Sequence, residues 1–311
     1  MVEETVVVGE GTEFPLEGTL TVPDGPGAPF PAVVFVHGSG PSDRDETVGR
    51  LKPFRDLAEG LARHGIASLR YDKRTFVHAK RMVRTGDTTV RVETIDDAVL
   101  AADLLRADPR VDPDRIFIIG HSMGAMLAPR IDAEGGDFAG LVLMAGSPRR
   151  MEQVIIDQGQ DALDSMKGLM RWLANRQIGK VRAILEAVDL MDEEEARRTR
   201  FGGGTYMYYF KEMAAHPAEE YLLCTEKPIL IMQGSADFQA HPERDFGAYR
   251  RLLGDRPNVT YRLYEGLNHA FVPAIHDDIS KAKQEYSVER RIGGDVVSDI
   301  AGWVLAVGRD G

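Results

Sequence analysis

Arg115-Ile116-Phe117-Ile118-Ile119-Gly120-His121-Ser122-Met123-Gly124-Ala125-Met126-Leu127-Ala128 sets an apolar, β-branched run directly against a helix-forming run, with room between them only for a tight turn. The first run has the length and character of a buried strand, and the second opens an apolar helix. A serine is therefore held out at the point where strand turns into helix. So sharp a turn requires the residues two before and two after the serine to be nearly free of side chain, and Gly120 and Gly124 stand at those positions. Ser122 is the candidate nucleophile.

The same alternation continues on both sides of this turn. Leu16 to Val22 and Val6 to Val8 read as an opening antiparallel hairpin, closed off by Pro23-Asp24-Gly25-Pro26-Gly27. Short apolar runs at Ala32 to Val36, Ile66 to Leu69, Ile116 to Ile119, Leu141 to Met144, Ile229 to Met232 and Val259 to Tyr264 read as buried strands. Helical spacing between them falls at Pro53 to His64, Glu93 to Arg106, Met123 to Ala133, Pro242 to Leu253 and Val288 to Val307. Strands that alternate with helices imply an α/β fold: a mostly parallel sheet with helices on both faces.

Ser147 to Tyr221 breaks the rhythm, because helical spacing continues there without a strand-like run. The expectation is a catalytic domain built from residues 1–146 and 222–311, with residues 147–221 inserted as a helical cap. Met151, Met166, Met170, Met191, Met207 and Met213 give that insert a flexible apolar surface, read first as packing between cap and core, with lining of an acyl pocket as the alternative. Gly202-Gly203-Gly204 reads as a flexible loop rather than a hinge.

Composition narrows the function. The chain has 311 residues, 43% of them hydrophobic, and a formal charge of −11. Such a balance argues against nucleic acid and against an anionic membrane surface, both of which call for clustered Lys and Arg. The expected partner is a small molecule, with homo-oligomer formation left open. No run reaches the roughly 18 apolar residues of a membrane span, and Met1-Val2-Glu3-Glu4-Thr5 has no leader-like character, so a cytoplasmic location is expected. The lone cysteine, Cys224, reads as a small buried hydrophobe.

A serine hydroxyl needs a general base, and the base needs a carboxylate to orient it. Asp237 follows the strand ending at Met232, and His269 follows the strand ending at Tyr264, which gives the order serine, acid, histidine. Asp245 lies inside a predicted helix and Asp255 at the opposite edge of the sheet, so neither readily meets His269. His241 opens a helix and His276 lies further past its strand. An oxyanion hole needs two backbone N–H groups, expected from Met123, the residue after the nucleophile, and from Ser39 in His37-Gly38-Ser39-Gly40, with Gly40 as the alternative. His37 reads as structural, and Asp43, Arg44 and Asp45 as loop-fixing. Tyr71-Asp72-Lys73-Arg74 reads as a brace without a catalytic role. Neither a metal nor an organic cofactor is required by this chemistry.

The stretches His37-Gly38-Ser39-Gly40-Pro41-Ser42-Asp43-Arg44-Asp45, Leu69-Arg70-Tyr71-Asp72-Lys73-Arg74-Thr75, Gly120-His121-Ser122-Met123-Gly124 and Gly266-Leu267-Asn268-His269 resemble α/β-hydrolase carboxylesterases. The nearest branch is that of bacterial esterases related to dienelactone hydrolases and prolyl oligopeptidases. This resemblance implies a serine esterase acting on short acyl or aryl esters, with Ser122, Asp237 and His269 at the triad positions. Dienelactone hydrolases proper use a cysteine nucleophile, and serine stands here instead. A peptidase, thioesterase or acyltransferase would use the same three residues, and a non-catalytic binding module is the alternative from another class.

Overall fold

The computed structural model describes residues 1–82, 88–202, 204–276 and 278–307. Its main sheet has eight strands in the order β1-β2-β4-β3-β5-β6-β9-β10. These are β1 (Val2–Val8), β2 (Leu16–Val22), β3 (Phe30–Val36), β4 (Ala67–Tyr71), β5 (Val111–His121), β6 (Gly140–Met144), β9 (Ile229–Gly234) and β10 (Val259–Tyr264). A small separate hairpin pairs β7 (Arg200–Gly202) with β8 (Thr205–Tyr206). β1 pairs antiparallel with β2 and β2 antiparallel with β4; every other neighbour pair in the large sheet is parallel.

Parallel strands need crossovers, and helices supply them. In chain order the helices are α1 (Pro53–Arg63), α2 (Arg74–Val77), α3 (Ala79–Met82), α4 (Asp96–Ala107), α5 (Met123–Ile131), α6 (Met151–Asp164) and α7 (Gly168–Glu186). They continue with α8 (Glu193–Arg198), α9 (Met207–Ala214), α10 (Ala218–Cys224), α11 (Gly247–Leu253), α12 (Ala282–Glu285) and α13 (Gly294–Ala306). The central strands carry mostly apolar residues where both of their faces are covered. Val34, Ile118, Leu143 and Ile231 pack on one face with α4, α5 and α11, while Val33, Phe117, Val142 and Leu230 pack on the other with α1 and α13. This period-two split of one continuous run is what a doubly covered parallel sheet produces.

The α/β architecture agrees with the sequence reading, and four details differ. The last helix begins at Gly294 rather than Val288, because the Gly293-Gly294 pair delays helix entry. The Glu93 to Arg106 helix opens with a π-helical turn at Arg91–Ile95, and Pro242–Phe246 is a second such turn ahead of α11. The segment between β6 and β9 contains the β7–β8 hairpin beside its helices, with its own small core of Leu185, Val188, Met191, Ala196, Met207 and Phe210. Of the Gly202-Gly203-Gly204 loop, Gly203 lies outside the described residues. Cys224 is exposed at the end of α10, not buried. Among the described residues, no helix is long and apolar enough to cross a membrane.

Candidate active site

The loops after β3, β5, β9 and β10 meet at the carboxyl ends of the parallel strands, the edge at which open α/β sheets hold their ligands. Ser122 closes β5 and caps α5 with φ +54° and ψ −116°, a backbone conformation unusual for any residue with a side chain. Its N–H is anchored to the Met144 carbonyl of β6 at 2.8 Å. A Cβ on Gly120 would strike the backbone of Gly124, and one on Gly124 would strike the backbone of Val36 and His37. Both glycines are thus required by close approach, and they hold α5 against β3 so that the serine projects between the loops.

Asp237 sits in the turn after β9, its side chain fully buried. Oδ1 accepts from the N–H groups of Gln239 at 2.7 Å and Ala240 at 3.0 Å; Oδ2 accepts from Gln233 Nε2 at 2.8 Å and from His269 Nδ1 at 2.7 Å. The carboxylate is oriented from four sides, and in turn it fixes the imidazole with Nδ1 protonated. Nε2 is left free to act as a base. The His269 loop is shaped by Asn268, whose Oδ1 accepts from Ala270 and Val272 while Nδ2 donates to Glu285. Gly234 lets this loop lie directly against the end of β9, since a Cβ there would meet the Leu267 backbone.

Ser122 and His269 line one cavity of about 210 Å³, together with Gly38, Ser39, Gln239 and Tyr286. Among the described residues, no hydrogen bond closes between Ser122 Oγ and the ring, and catalytic contacts of this kind tighten in the complex with substrate. Met123 N–H is the first of α5 and has no intrahelical partner. The N–H of Ser39 likewise makes no hydrogen bond among the described residues. Asp245 is engaged elsewhere, with Ser147 Oγ and the His241 N–H, and His241 accepts from Glu243 at the start of a helical turn. Among the described residues, no three His, Cys, Asp or Glu side chains are grouped to hold a metal ion.

A second cavity of about 320 Å³ lies on the other side of the Ser39-Gly40-Pro41 loop. Met123, Met151, Ile155, Phe201, Tyr209 and Phe210 form most of its wall, so it opens between the start of α5 and the helices that follow β6.

Two buried charged clusters support the loops, and neither is visible as a cluster in the sequence, because its members lie far apart in the chain. Glu46 Oε1 accepts from Gly38 N–H at 2.8 Å, and Oε2 lies 3.0 Å from His121 Nδ1. His121 Nε2 donates to the His269 carbonyl at 2.9 Å. Burial alone would push the His121 imidazole down, but the Glu46 charge and contact outweigh it and hold it above its ordinary value. Burial would likewise raise the Glu46 carboxyl, and His121 with the Gly38 N–H leaves it lowered instead. The second cluster joins Lys73, Glu93, Thr75 and Tyr209. The His37 ring ties its own loop down, with Nε2 bonded to the Asp43 carbonyl at 3.0 Å. Arg44 bridges its own loop to Asp72.

The family described as Hydrolase_4, serine aminopeptidase (S33), matches residues 27–273. The chain belongs to this α/β-hydrolase family. It is 34% identical over 291 residues to the esterase EstD of Thermotoga maritima, an alignment covering 93% of this chain and 65% of that protein. The chain therefore spans slightly under two thirds of that relative's length. Among solved structures, Est1E from Butyrivibrio proteoclasticus superimposes with TM-score 0.59 at 15% identity, covering 97% of this chain and 99% of its own. An esterase from Pyrococcus furiosus gives 0.56 at 16%, covering 98% and 91%. At such identities these two likenesses speak for the fold alone.

Proposed function

We propose that this chain is a serine carboxylesterase in which Ser122 attacks an ester carbonyl and His269, oriented by Asp237, takes the hydroxyl proton. The observation that carries the reading is a nucleophile-elbow serine sharing a cavity with a histidine whose Nδ1 is already committed to a buried carboxylate at 2.7 Å. The amides of Ser39 and Met123 bind the oxyanion. His269 returns the proton to the leaving alcohol and then activates water, which releases the acid from the acyl-enzyme. Neither step calls on a metal or a cofactor. The esterase name of the Thermotoga relative supports this choice of substrate class.

Residues 147–221 act as a cap, and the apolar cavity beneath it takes the acyl group, while the more polar cavity beside His269 takes the alcohol. A small-molecule ester is the partner, and the lone cysteine supports the cytoplasm as the compartment. The family description names aminopeptidases, which must hold a substrate ammonium near the scissile bond. Glu46, the carboxylate lining the Ser122 cavity, is already paired with His121 and Gly38, and this favours an ester over a peptide.

Ser122→Ala is expected to lower nitrophenyl ester hydrolysis by at least about 10³-fold while leaving the thermal unfolding curve in place. Near-normal turnover in that variant overturns the assignment. A wild type that cleaves aminoacyl nitroanilides far better than esters overturns the substrate class and leaves the nucleophile standing.

A further inference from the structure

Lys73 lies just past the end of β4 with its ammonium buried beneath the loop that follows β3; its side chain is 2% exposed. It donates to the Gly38 carbonyl at 2.8 Å and lies 3.0 Å from Glu93 Oε1. Glu93 is itself buried and accepts from Thr75 Oγ1 at 3.1 Å and from the Tyr209 hydroxyl of α9 at 2.7 Å. Burying an ion pair costs several kcal/mol of desolvation per ion, and an apolar pair of similar volume would often fill the space as well. Packing alone does not account for a charge placed against this one carbonyl.

The carbonyl of Gly38 and the N–H of Ser39 belong to the same peptide unit. Among the described residues the only cis bond is Ala28–Pro29, so this unit is planar and trans, and its C=O and N–H point in opposite directions. An ammonium that holds the oxygen from below aims the N–H away from the core, toward the cavities that Ser39 lines. By drawing electron density to the oxygen it also makes the N–H a stronger donor. Glu46 holds the N–H of the preceding peptide unit, that of Gly38, at 2.8 Å, so the backbone is fixed on both sides of the Gly38 Cα while the Ser39 N–H stays unbonded.

We propose that Lys73 is a positioning residue of the oxyanion hole, acting through the Gly38–Ser39 peptide, with Glu93 as its counter-charge and Tyr209 as the contact by which the helices beyond β6 steady it. This rests on the reading of Ser122 as nucleophile and Ser39 as oxyanion donor. Lys73 touches no substrate. Its effect appears only when negative charge develops on the carbonyl oxygen.

The test is the charge-balanced double variant Lys73→Met/Glu93→Gln, assayed with p-nitrophenyl butyrate and with a butyl trifluoromethyl ketone, whose adduct with the serine carries the oxyanion. The matching methyl ketone, which forms no stable adduct, reports ground-state binding. Loss of an oxyanion donor outright costs about 10²–10³ in kcat; here the amide remains, so a fall of about tenfold is expected, with KM changed less than about twofold. Affinity for the trifluoromethyl ketone falls by the same factor and that for the methyl ketone does not. A folded variant with wild-type kcat and trifluoromethyl ketone affinity overturns the proposal, and so does an equal loss for both ketones. Tyr209→Phe removes only a hydroxyl and serves if the double variant does not fold: a smaller loss confined to kcat supports the proposal, and wild-type kcat overturns it. A wild type that neither hydrolyses the ester nor takes up a fluorophosphonate at Ser122 sinks the esterase reading instead.

Discussion

His37 is kept uncharged by its surroundings. Its ring is 1% exposed, lies 5.0 Å from the Phe54 ring and 5.7 Å from that of Tyr71, and is lowered to about 4, first by burial and then by the Lys73 charge against the pull of Glu46. A histidine with a depressed folded value binds its proton more readily in the unfolded chain, so stability is lost as pH falls from about 6.5 toward 4. Between pH 7.5 and pH 5 this one group costs about 2 kcal/mol. His37→Gln keeps a donor for the Asp43 carbonyl and removes the titration. Urea midpoints at the two pH values are expected to fall less in the variant than in the wild type; equal falls contradict the argument. The neighbouring imidazole behaves oppositely, since His121 is held above its ordinary value by Glu46. Its contribution is present at acid pH and fades as pH rises through that raised value.

At the scale of elements, α2 is fastened to α4 by a buried pair, in which Arg74 Nε donates to Asp97 Oδ2 at 3.0 Å and a second bond runs to Oδ1. Burial nevertheless pushes the Asp97 carboxyl up to about 6, with the Arg74 hydrogen bonds offsetting only part of the cost. An acid raised on folding loses stability as pH climbs from about 4 to 6, so at neutral pH this pair orients the helices at some expense. Arg74→Met is expected to destabilise by about 3–5 kcal/mol by leaving a lone buried carboxylate, and Arg74→Met/Asp97→Leu to recover most of that loss. Calorimetry at pH 7.5 decides: a double variant as unstable as the single one would show that the pair is net stabilising. Elements such as β3, β6 and β9 were legible in the sequence because burial on both faces makes them continuous apolar runs, whereas β10, read as buried, is a half-exposed edge strand. The charged first half of β5, with Pro113, carried no such signal, and β7 and β8 are too short to carry one. The placement of Ser122, Asp237 and His269 at one edge of the sheet could be read because each follows a strand end closely. Lys73 with Glu93 and Glu46 with His121 could not, since each pair joins segments that only the folded topology brings together.

At the scale of the whole molecule, the helices beyond β6 are tied to the sheet domain by polar contacts spread around the site. Arg130 of α5 pairs with Glu212 of α9, Tyr209 reaches Glu93, and Gln158 of α6 donates to the Gln239 carbonyl in the Asp237 loop at 2.8 Å. The cavity of about 320 Å³ between the start of α5 and the helices beyond β6 is therefore a formed space, apolar on the side of Met151, Ile155, Phe201 and Phe210. That volume is at the lower end of ligand pockets, and each methylene buried there is worth about 1–3 kcal/mol of discrimination. Ile155→Trp would fill part of it from α6 without touching Ser122, Asp237 or His269. Relative to wild type, kcat/KM for an octanoyl nitrophenyl ester is expected to fall by at least about tenfold, while the acetyl ester stays within about twofold. Overpacking costs about 1–3 kcal/mol, so a thermal unfolding curve run alongside separates a narrowed chamber from a loosened fold. If octanoyl and acetyl esters fall together in a folded variant, the acyl chain does not enter this space, and the division of the site into an apolar acyl side and a polar alcohol side fails with it.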